Sequence, residues 1–328
     1  MKVTNGKRLL CIILIGFIMS SLMSIFVMAT PTNTSFSTAI QLSSDLGDQK
    51  TITGVTTGVS LYYYLNVTSG QHISTAIYDS SNSANFDLRL YNSSQSQVAS
   101  STRSGTATDA IAYTSTYTGK YYIRITATSV PSSSASCKFK AIKACGISGT
   151  SSTNSSYNRT NAKTYMQSYT VNANPSYNDY TGDGGDCTNF VSQVVKAGGM
   201  ANANGSISAN TSWYAYSETW KSATKFTNHW GTNSVGSGNK RAYSCQYFHA
   251  QGALNNYQSF IQNIKVGDVI QICAKTDSAR FHSLVVYEAI TGDLKMSQHT
   301  SNQFVNLSIV LNNYNKYFIT VIRIKQGS

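Results

Sequence analysis

The chain has 328 residues, with 25 Lys and Arg against 13 Asp and Glu and a formal net charge of +12. Apolar residues make up 41% and charged residues only 12%, which excludes a disordered polyelectrolyte; the scarcity of Glu and Lys also excludes a coiled coil or helical bundle, and the length predicts two domains, each able to bury a core. Residues 1–29 read as a secretory signal. Lys2, Lys7 and Arg8 precede an apolar run from Leu9 to Val27, and Val27-Met28-Ala29 places short side chains before a cleavage after Ala29. An uncleaved anchor is the alternative, since the run is long enough to span a membrane. Cleavage removes three cations and no acids, so the net charge falls from +12 to +9. The remaining positive charges are dispersed. A basic, exported protein that adheres to a negative cell wall is expected, with no nucleic-acid partner and no stable membrane insertion after cleavage.

Residues 30–145 predict an all-β domain. Runs rich in strand formers at 61–67, His72–Tyr78, 87–91, 111–113 and 121–125 are separated by turn clusters such as Thr68-Ser69-Gly70 and Asp79-Ser80-Ser81-Asn82, the spacing of a β-sandwich. The segments Val67-Thr68-Ser69-Gly70-Gln71, Phe86-Asp87-Leu88-Arg89-Leu90-Tyr91 and Tyr117-Thr118-Gly119-Lys120-Tyr121-Tyr122-Ile123-Arg124-Ile125 are similar to the bacterial pre-peptidase C-terminal domain. The resemblance implies a jelly-roll-like accessory module that binds a surface or cell-wall polysaccharide. It also raises Asp87 as a calcium ligand, with hydrogen bonding to turn amides as the simpler role. Residues 146–156, mostly Gly, Ser, Thr and Asn, read as a flexible linker.

Residues 157–328 predict an α+β domain. Ala162, Tyr165, Met166 and Tyr169 fall at helical spacing; a loop through Asn174-Pro175-Ser176-Tyr177 follows, and a second helix begins near Asp186. After a variable stretch at 200–262, strands are expected at 268–272, 283–289 and 294–299, the last two joined by a turn at Thr291-Gly292-Asp293. Export leaves Cys137, Cys145, Cys187, Cys245 and Cys273, an odd number, so at least one thiol is unpaired. Cys137–Cys145 and Cys245–Cys273 are candidate bridges, and Cys187 is the candidate thiol.

The chemistry centres on Gly184-Gly185-Asp186-Cys187-Thr188-Asn189-Phe190. Asp186 suits an N-cap and puts Cys187 at the first helical position, where unpaired backbone amides favour a thiolate. Phe190, Val191, Val194 and Val195 continue its stripe, so the helix packs inward, and Gly198-Gly199 end it. A buried inert cysteine is the bland alternative. A thiolate needs a base. Of the five histidines, His72, His229 and His249 have no supporting pattern. His282 opens the strand His282-Ser283-Leu284-Val285-Val286, and alternation places it with Leu284 and Val286 on the face expected to meet the helix. The residue that orients the base is expected to be His299, returned beside His282 by the hairpin, with Gln298 on the opposite face and Asn302 beyond the strand.

Cysteine, histidine and a polar residue in that order is the arrangement of papain-like and NlpC-like cysteine peptidases. Tyr157-Asn158-Arg159, Asn174-Pro175-Ser176-Tyr177, Gly185-Asp186-Cys187-Thr188-Asn189-Phe190-Val191-Ser192-Gln193, Gly267-Asp268-Val269-Ile270, His282-Ser283 and His299-Thr300 resemble the bacterial putative amidase domain family. The resemblance implies a papain-like cysteine hydrolase fold, Cys187 as nucleophile and His282 as base. Trp213, Trp220 and Trp230 are read as groove lining or core. The expectation is a secreted or cell-wall-associated cysteine amidase acting on peptidoglycan or peptides without metal or cofactor. The alternatives are a general cysteine peptidase, an acyltransferase, and a non-catalytic adhesive protein.

Overall fold

The computed structural model describes residues 31–327 apart from 45, 47, 145–148, 184, 233–237 and 275–278. The expected leader and Cys145, with its bridge to Cys137, lie outside the described residues. No helix among the described residues is long and apolar enough to cross a membrane.

The N-terminal half is a sandwich. One sheet runs β1 (Ile40–Gln41), β3 (Ser60–Val67), β8 (Gly119–Ser129), β5 (Asn85–Tyr91), β6 (Gln97–Ser101); the other runs β2 (Lys50–Val55), β9 (Ala135–Ala144), β4 (His72–Tyr78), β7 (Asp109–Thr114). Alternation builds the core between them. Leu61, Tyr63, Leu65 and Val67 of β3 and Tyr121, Ile123, Ile125 and Ala127 of β8 are buried, and all pack in one cluster. Asp87 makes an ion pair with Arg89 at 2.9 Å.

Strand β4 departs from this rule, because every residue in it is buried. Ile73 and Ile77 face the sandwich core, whereas Ala76 and Tyr78 belong to the core of the C-terminal half. Polar contacts accompany the packing: the His249 amide donates to Ser74 Oγ at 2.7 Å, and Asn255 Nδ2 to the Ala110 carbonyl at 3.1 Å. The two halves therefore share a packed interface. The segment expected to be a flexible linker is held down over residues 149–156. The Gly149 amide donates to the Tyr243 carbonyl at 2.8 Å, and Asn154 Nδ2 donates to the carbonyls of Arg241 and Ile324, both at 2.8 Å. Its composition is that of a linker, but its backbone finds partners on the next domain.

The C-terminal half has helices α1 (Arg159–Tyr169), α2 (Cys187–Ala197), α3 (Glu218–Lys221) and α4 (Ala223–Trp230), then strand β10 (Ser244–His249), α5 (Ala250–Asn255) and α6 (Tyr257–Ile261). Strands β11 (Val269–Cys273), β12 (Arg280–Ile290), β13 (Asp293–Gln298) and β14 (Gln303–Asn306), helix α7 (Leu307–Asn313) and β15 (Phe318–Arg323) complete it. The sheet is antiparallel in the order β10-β15-β11-β12-β13-β14. Helix α2 covers one face, with Phe190, Val191, Val194 and Val195 packed against Val269, Val285 and Ile322. Helices α5 and α7 cover the other, with Leu284, Val286 and Met296. The expected Cys245–Cys273 bridge is not formed: Cys273 is a free buried thiol 3.2 Å from Thr320 Oγ1, and the Cys245 sulfur faces the Thr232 carbonyl. The two cysteines pair with Ile322 and Phe318, four residues apart on β15. At roughly 3.3 Å per residue that separation exceeds the reach of a disulfide.

Candidate active site

Helix α2 is buried on all sides, so the polar residues of its motif must each find a partner. Asn189 Oδ1 accepts from Trp220 Nε1 at 2.8 Å, and its amide donates to the Asn178 carbonyl and to Asp186 Oδ1. Ser192 Oγ accepts from Trp213 Nε1, and Gln193 Oε1 accepts from the Tyr165 hydroxyl. Trp213, Trp220 and Trp230 are fully buried around Phe226, so they are core rather than groove lining. Two further parts of the motif set are braces. Arg159 makes a buried ion pair with Asp268 at 2.9 Å, and the Tyr157 hydroxyl donates to the Gly267 carbonyl at 3.1 Å.

Asp186 precedes the helix, but its side chain makes no cap hydrogen bond. The carboxylate accepts instead from the Tyr180 amide at 3.1 Å, Asn189 Nδ2 at 2.7 Å and His299 Nδ1 at 2.7 Å. It ties the loop before the helix to the sheet behind it. Gly185 lies in the left-handed region at φ +111°, and a Cβ there would press on Thr300 Oγ1 at 3.0 Å, so glycine permits the close approach of loop and strand end.

Cys187 is the first residue of α2 and is 6% exposed. It lines a cleft of about 470 Å³ together with Tyr180, Asp183, Thr188, Lys221 and Phe281. Its sulfur meets the His282 imidazole, the Ser283 backbone amide and the Thr188 hydroxyl, the last at 3.7 Å. Burial is the largest influence on the thiol and pushes it up. The hydrogen bond and charge of His282, with the Thr188 hydroxyl and the Ser283 amide, outweigh it and hold the thiol below its ordinary value. Burial is also the largest influence on His282 and pushes it down; contact with the Cys187 sulfur and with Gln298 outweighs it, so the imidazole is held above its ordinary value.

His282 Nε2 lies 2.7 Å from Gln298 Oε1, which leaves Nδ1 for the sulfur. Gln298 Nε2 in turn donates to Ser301 Oγ at 2.7 Å. The orienting position expected for His299 is therefore held by Gln298, and the physical reason is one β-bulge. Near the turn the hairpin pairs Ile290 with Asp293, Ala289 with Leu294 and Glu288 with Lys295. Carried on unbroken, that register would pair Leu284 with His299 and put His299 on the face of His282. Tyr287 is an extra residue, however, and beyond it Val286 pairs with Met296 and Val285 with Ser297. The shift gives Leu284 to Gln298 and turns His299 to the face of helix α2. There His299 stacks on Phe190, with ring centroids 3.9 Å apart, and uses its second nitrogen on the Tyr169 carbonyl at 2.7 Å. His282 also departs from the expected face: α2 packs on the Val285 side, not on the Leu284 and Val286 side. A second irregularity, between Ile272 and Cys273, makes Phe281 an extra residue beside His282, where bulges re-aim side chains.

The remaining histidines are elsewhere. His72 packs against Phe248 with the rings tilted, and burial lowers it to about 4; His229 contacts the Asn210 carbonyl; His249 caps α5. No cluster of three or more metal-binding side chains occurs among the described residues.

The fold and site define an α+β domain with a cysteine–histidine pair at a buried helix start, preceded by an all-β sandwich. Residues 156–322 match the family model described as Putative amidase domain, half of the chain, and the protein belongs to that family. Residues 59–127 match the Bacterial pre-peptidase C-terminal domain. The family match supports an amidase. Among curated proteins no match was found. Among solved structures the chain is similar to the pre-peptidase C-terminal domain of a collagenase from Bacillus anthracis, at 18% identity over 31% of this chain and 93% of that one, with a TM-score of 0.26. It is also similar to PliG of Aeromonas hydrophila, a periplasmic inhibitor of g-type lysozyme, at 16% identity over 31% and 95%, with a TM-score of 0.23. Likenesses at these TM-scores add nothing to the family match.

Proposed function

We propose that the protein is an exported, papain-like cysteine amidase that cleaves amide bonds in cell-wall peptides, with Cys187 as nucleophile, His282 as acid and base, and Gln298 as the orienting residue. The observation that carries this reading is the line Cys187–His282–Gln298 at the head of a buried helix, with Cys187 lining a cleft. The Cys187 thiolate attacks the amide carbonyl, forming a C–S bond. The C–N bond breaks as His282 passes its proton to the leaving amine. Water then attacks the thioester, His282 takes its proton, and the C–S bond breaks to release the acid and the thiolate. The Cys187 amide at the helix start is a donor to the oxyanion; of the two loop tyrosines Tyr180 lines the cleft, whereas Tyr177 stacks on Trp220.

The substrate is tested by incubating the protein with purified peptidoglycan and analysing released fragments by mass. New amino termini or free N-acetylmuramoyl ends are expected. A digest with no release from peptidoglycan, alongside cleavage of soluble peptides, would exchange the wall substrate for a general peptidase.

The pH profile has a definite sign. With ordinary values a thiol near ~8.5 ionises after an imidazole near ~6.5 has lost its proton, and the ion pair never dominates. Here the thiol is lowered and the imidazole raised, and both shifts favour the ion pair. A bell-shaped kcat/KM is expected, its acid limb from thiol ionisation and its alkaline limb from loss of the imidazolium proton. Gln298→Ala removes one of the contacts that raise His282, so the alkaline limb should move to lower pH. A hydrogen bond to a charged group contributes about 1.5–3 kcal/mol, so kcat/KM should fall roughly ten- to a hundredfold. An unchanged alkaline limb in Gln298→Ala would remove Gln298 from the mechanism.

A further inference from the structure

We propose that Gln271, Ser283 and Thr188 form a one-way chain of hydrogen bonds that ends as a donor on Cys187 Sγ and selects its thiolate. This deepens the cysteine-hydrolase reading and rests on it. Thr188 lines the cleft beside Cys187, and Ser283 and Gln271 lie beneath it, off the cleft surface. Gln271 and Ser283 are fully buried and Thr188 is 1% exposed. Gln271 Nε2 is 2.9 Å from Ser283 Oγ, Ser283 Oγ is 2.8 Å from Thr188 Oγ1, and Thr188 Oγ1 is 3.7 Å from Cys187 Sγ.

The direction of the chain is set at its far end. An amide nitrogen only donates, and that of Gln271 also donates to the Ala223 carbonyl at 3.0 Å, while its oxygen accepts from the Thr227 hydroxyl. Flipping the amide would set its oxygen against the Ala223 carbonyl. Ser283 Oγ therefore receives a proton from Gln271 and has one of its own to give. Its other side-chain partner among the described residues is Thr188 Oγ1. When Ser283 donates there, the Thr188 proton is directed at the sulfur, which accepts it, weakly as a thiol and strongly as a thiolate.

The reverse arrangement does not close. If the sulfur keeps its proton and donates to Thr188, then Thr188 donates to Ser283. The Ser283 proton is left without a side-chain acceptor among the described residues, at a site with no solvent exposure. A buried unsatisfied donor is costly, so the chain is complete only when the sulfur accepts from Thr188, and that donor favours the thiolate over the thiol, the weaker acceptor. The Ser283 backbone amide reaches the same sulfur, which adds a second fixed donor. The consequence is that part of the activation of Cys187 comes from the buried chain beneath it and not from His282 alone. In this reading Gln271, Ser283 and Thr188 are positioning residues, since they act through the Cys187 sulfur.

The test is titration of Cys187 in the full chain, followed by ultraviolet thiolate absorbance and by the pH dependence of iodoacetamide alkylation mapped to the Cys187 peptide. Thr188→Val removes the donor and keeps the branched shape, and the thiolate fraction on the acid side should fall about tenfold. Thr188→Ser should restore the wild-type titration. Ser283→Ala and Gln271→Met break the chain one and two steps further back and should shift the thiol in the same direction by less. Adding Thr188→Val to His282→Ala should still move the thiol upward. A merely structural role would alter unfolding midpoints without moving the titration. If Thr188→Val does not fold, Ser283→Ala carries the same test. An unchanged titration in a folded Thr188→Val or Ser283→Ala variant overturns the chain. A wild-type thiol that titrates near the free value of about 8.5 overturns the hydrolase reading itself.

Discussion

Cys187→Ala is expected to fold and to lose all measurable hydrolysis, a drop on the order of 10⁴-fold or more in kcat. The first helical position tolerates alanine, and the fold around it is held by Phe190, Val191, Val194 and Val195, which the substitution does not touch. Cys187→Ser should be nearly as inactive, because a hydroxyl does not ionise in a setting that suffices for a thiol. The same variant has a second signature. Contact with the Cys187 sulfur is what chiefly counters the burial of His282, so in Cys187→Ala the imidazole should titrate at lower pH than in the wild type. Histidine NMR measures this directly. Residual hydrolysis above about one hundredth of wild type would show that another group carries the reaction.

The largest loss of stability is expected from Asp186→Ala. The carboxylate is 1% exposed and serves the Tyr180 amide, Asn189 and His299 at once. Removing it leaves a buried imidazole, an amide group and a backbone N–H without their acceptor. Each buried donor left unsatisfied costs about 1–3 kcal/mol, so the loss should be about 3–5 kcal/mol. Asp186→Asn keeps the shape and one acceptor oxygen and should cost about 1–2 kcal/mol. Urea unfolding midpoints compare the two. An Asp186→Ala variant as stable as Asp186→Asn would mean that the three contacts are not what fixes the helix start.

This carboxylate also shows where local reading stops. Asp186 before Cys187 reads as an N-cap, because aspartate before an apolar-periodic run usually is one. Its oxygens go instead to groups 6 residues before, 3 residues after and 113 residues after it in the chain. Only the first two distances are local, and neither follows a cap pattern.

Much of the rest was legible because it depends on period and on strong local signals. The alternation of Leu61, Tyr63, Leu65 and Val67 marks a strand with one buried face, and Phe190, Val191, Val194 and Val195 mark a helix stripe. The position of Cys187 at the head of that helix follows from the glycines and the acid before it. The linker composition of 149–156 misleads, since Gly, Ser and Asn suit a docked turn as well as a free tether.

The sequence by itself determined the two halves, the sandwich character of the first, and the candidate pair Cys187 and His282. Those depend on side-chain periodicity and residue type, which are local properties. The tertiary structure decided which group orients the histidine and which side chains are chained to the sulfur. A single extra residue at Tyr287 exchanges His299 for Gln298 on the His282 face, and no composition or spacing announces a bulge. The partners of Thr188 lie 95 residues away at Ser283, and 12 residues further back in the chain from Ser283 at Gln271. Contacts of that separation are set by strand register and helix docking, which the packing of the whole domain fixes at once.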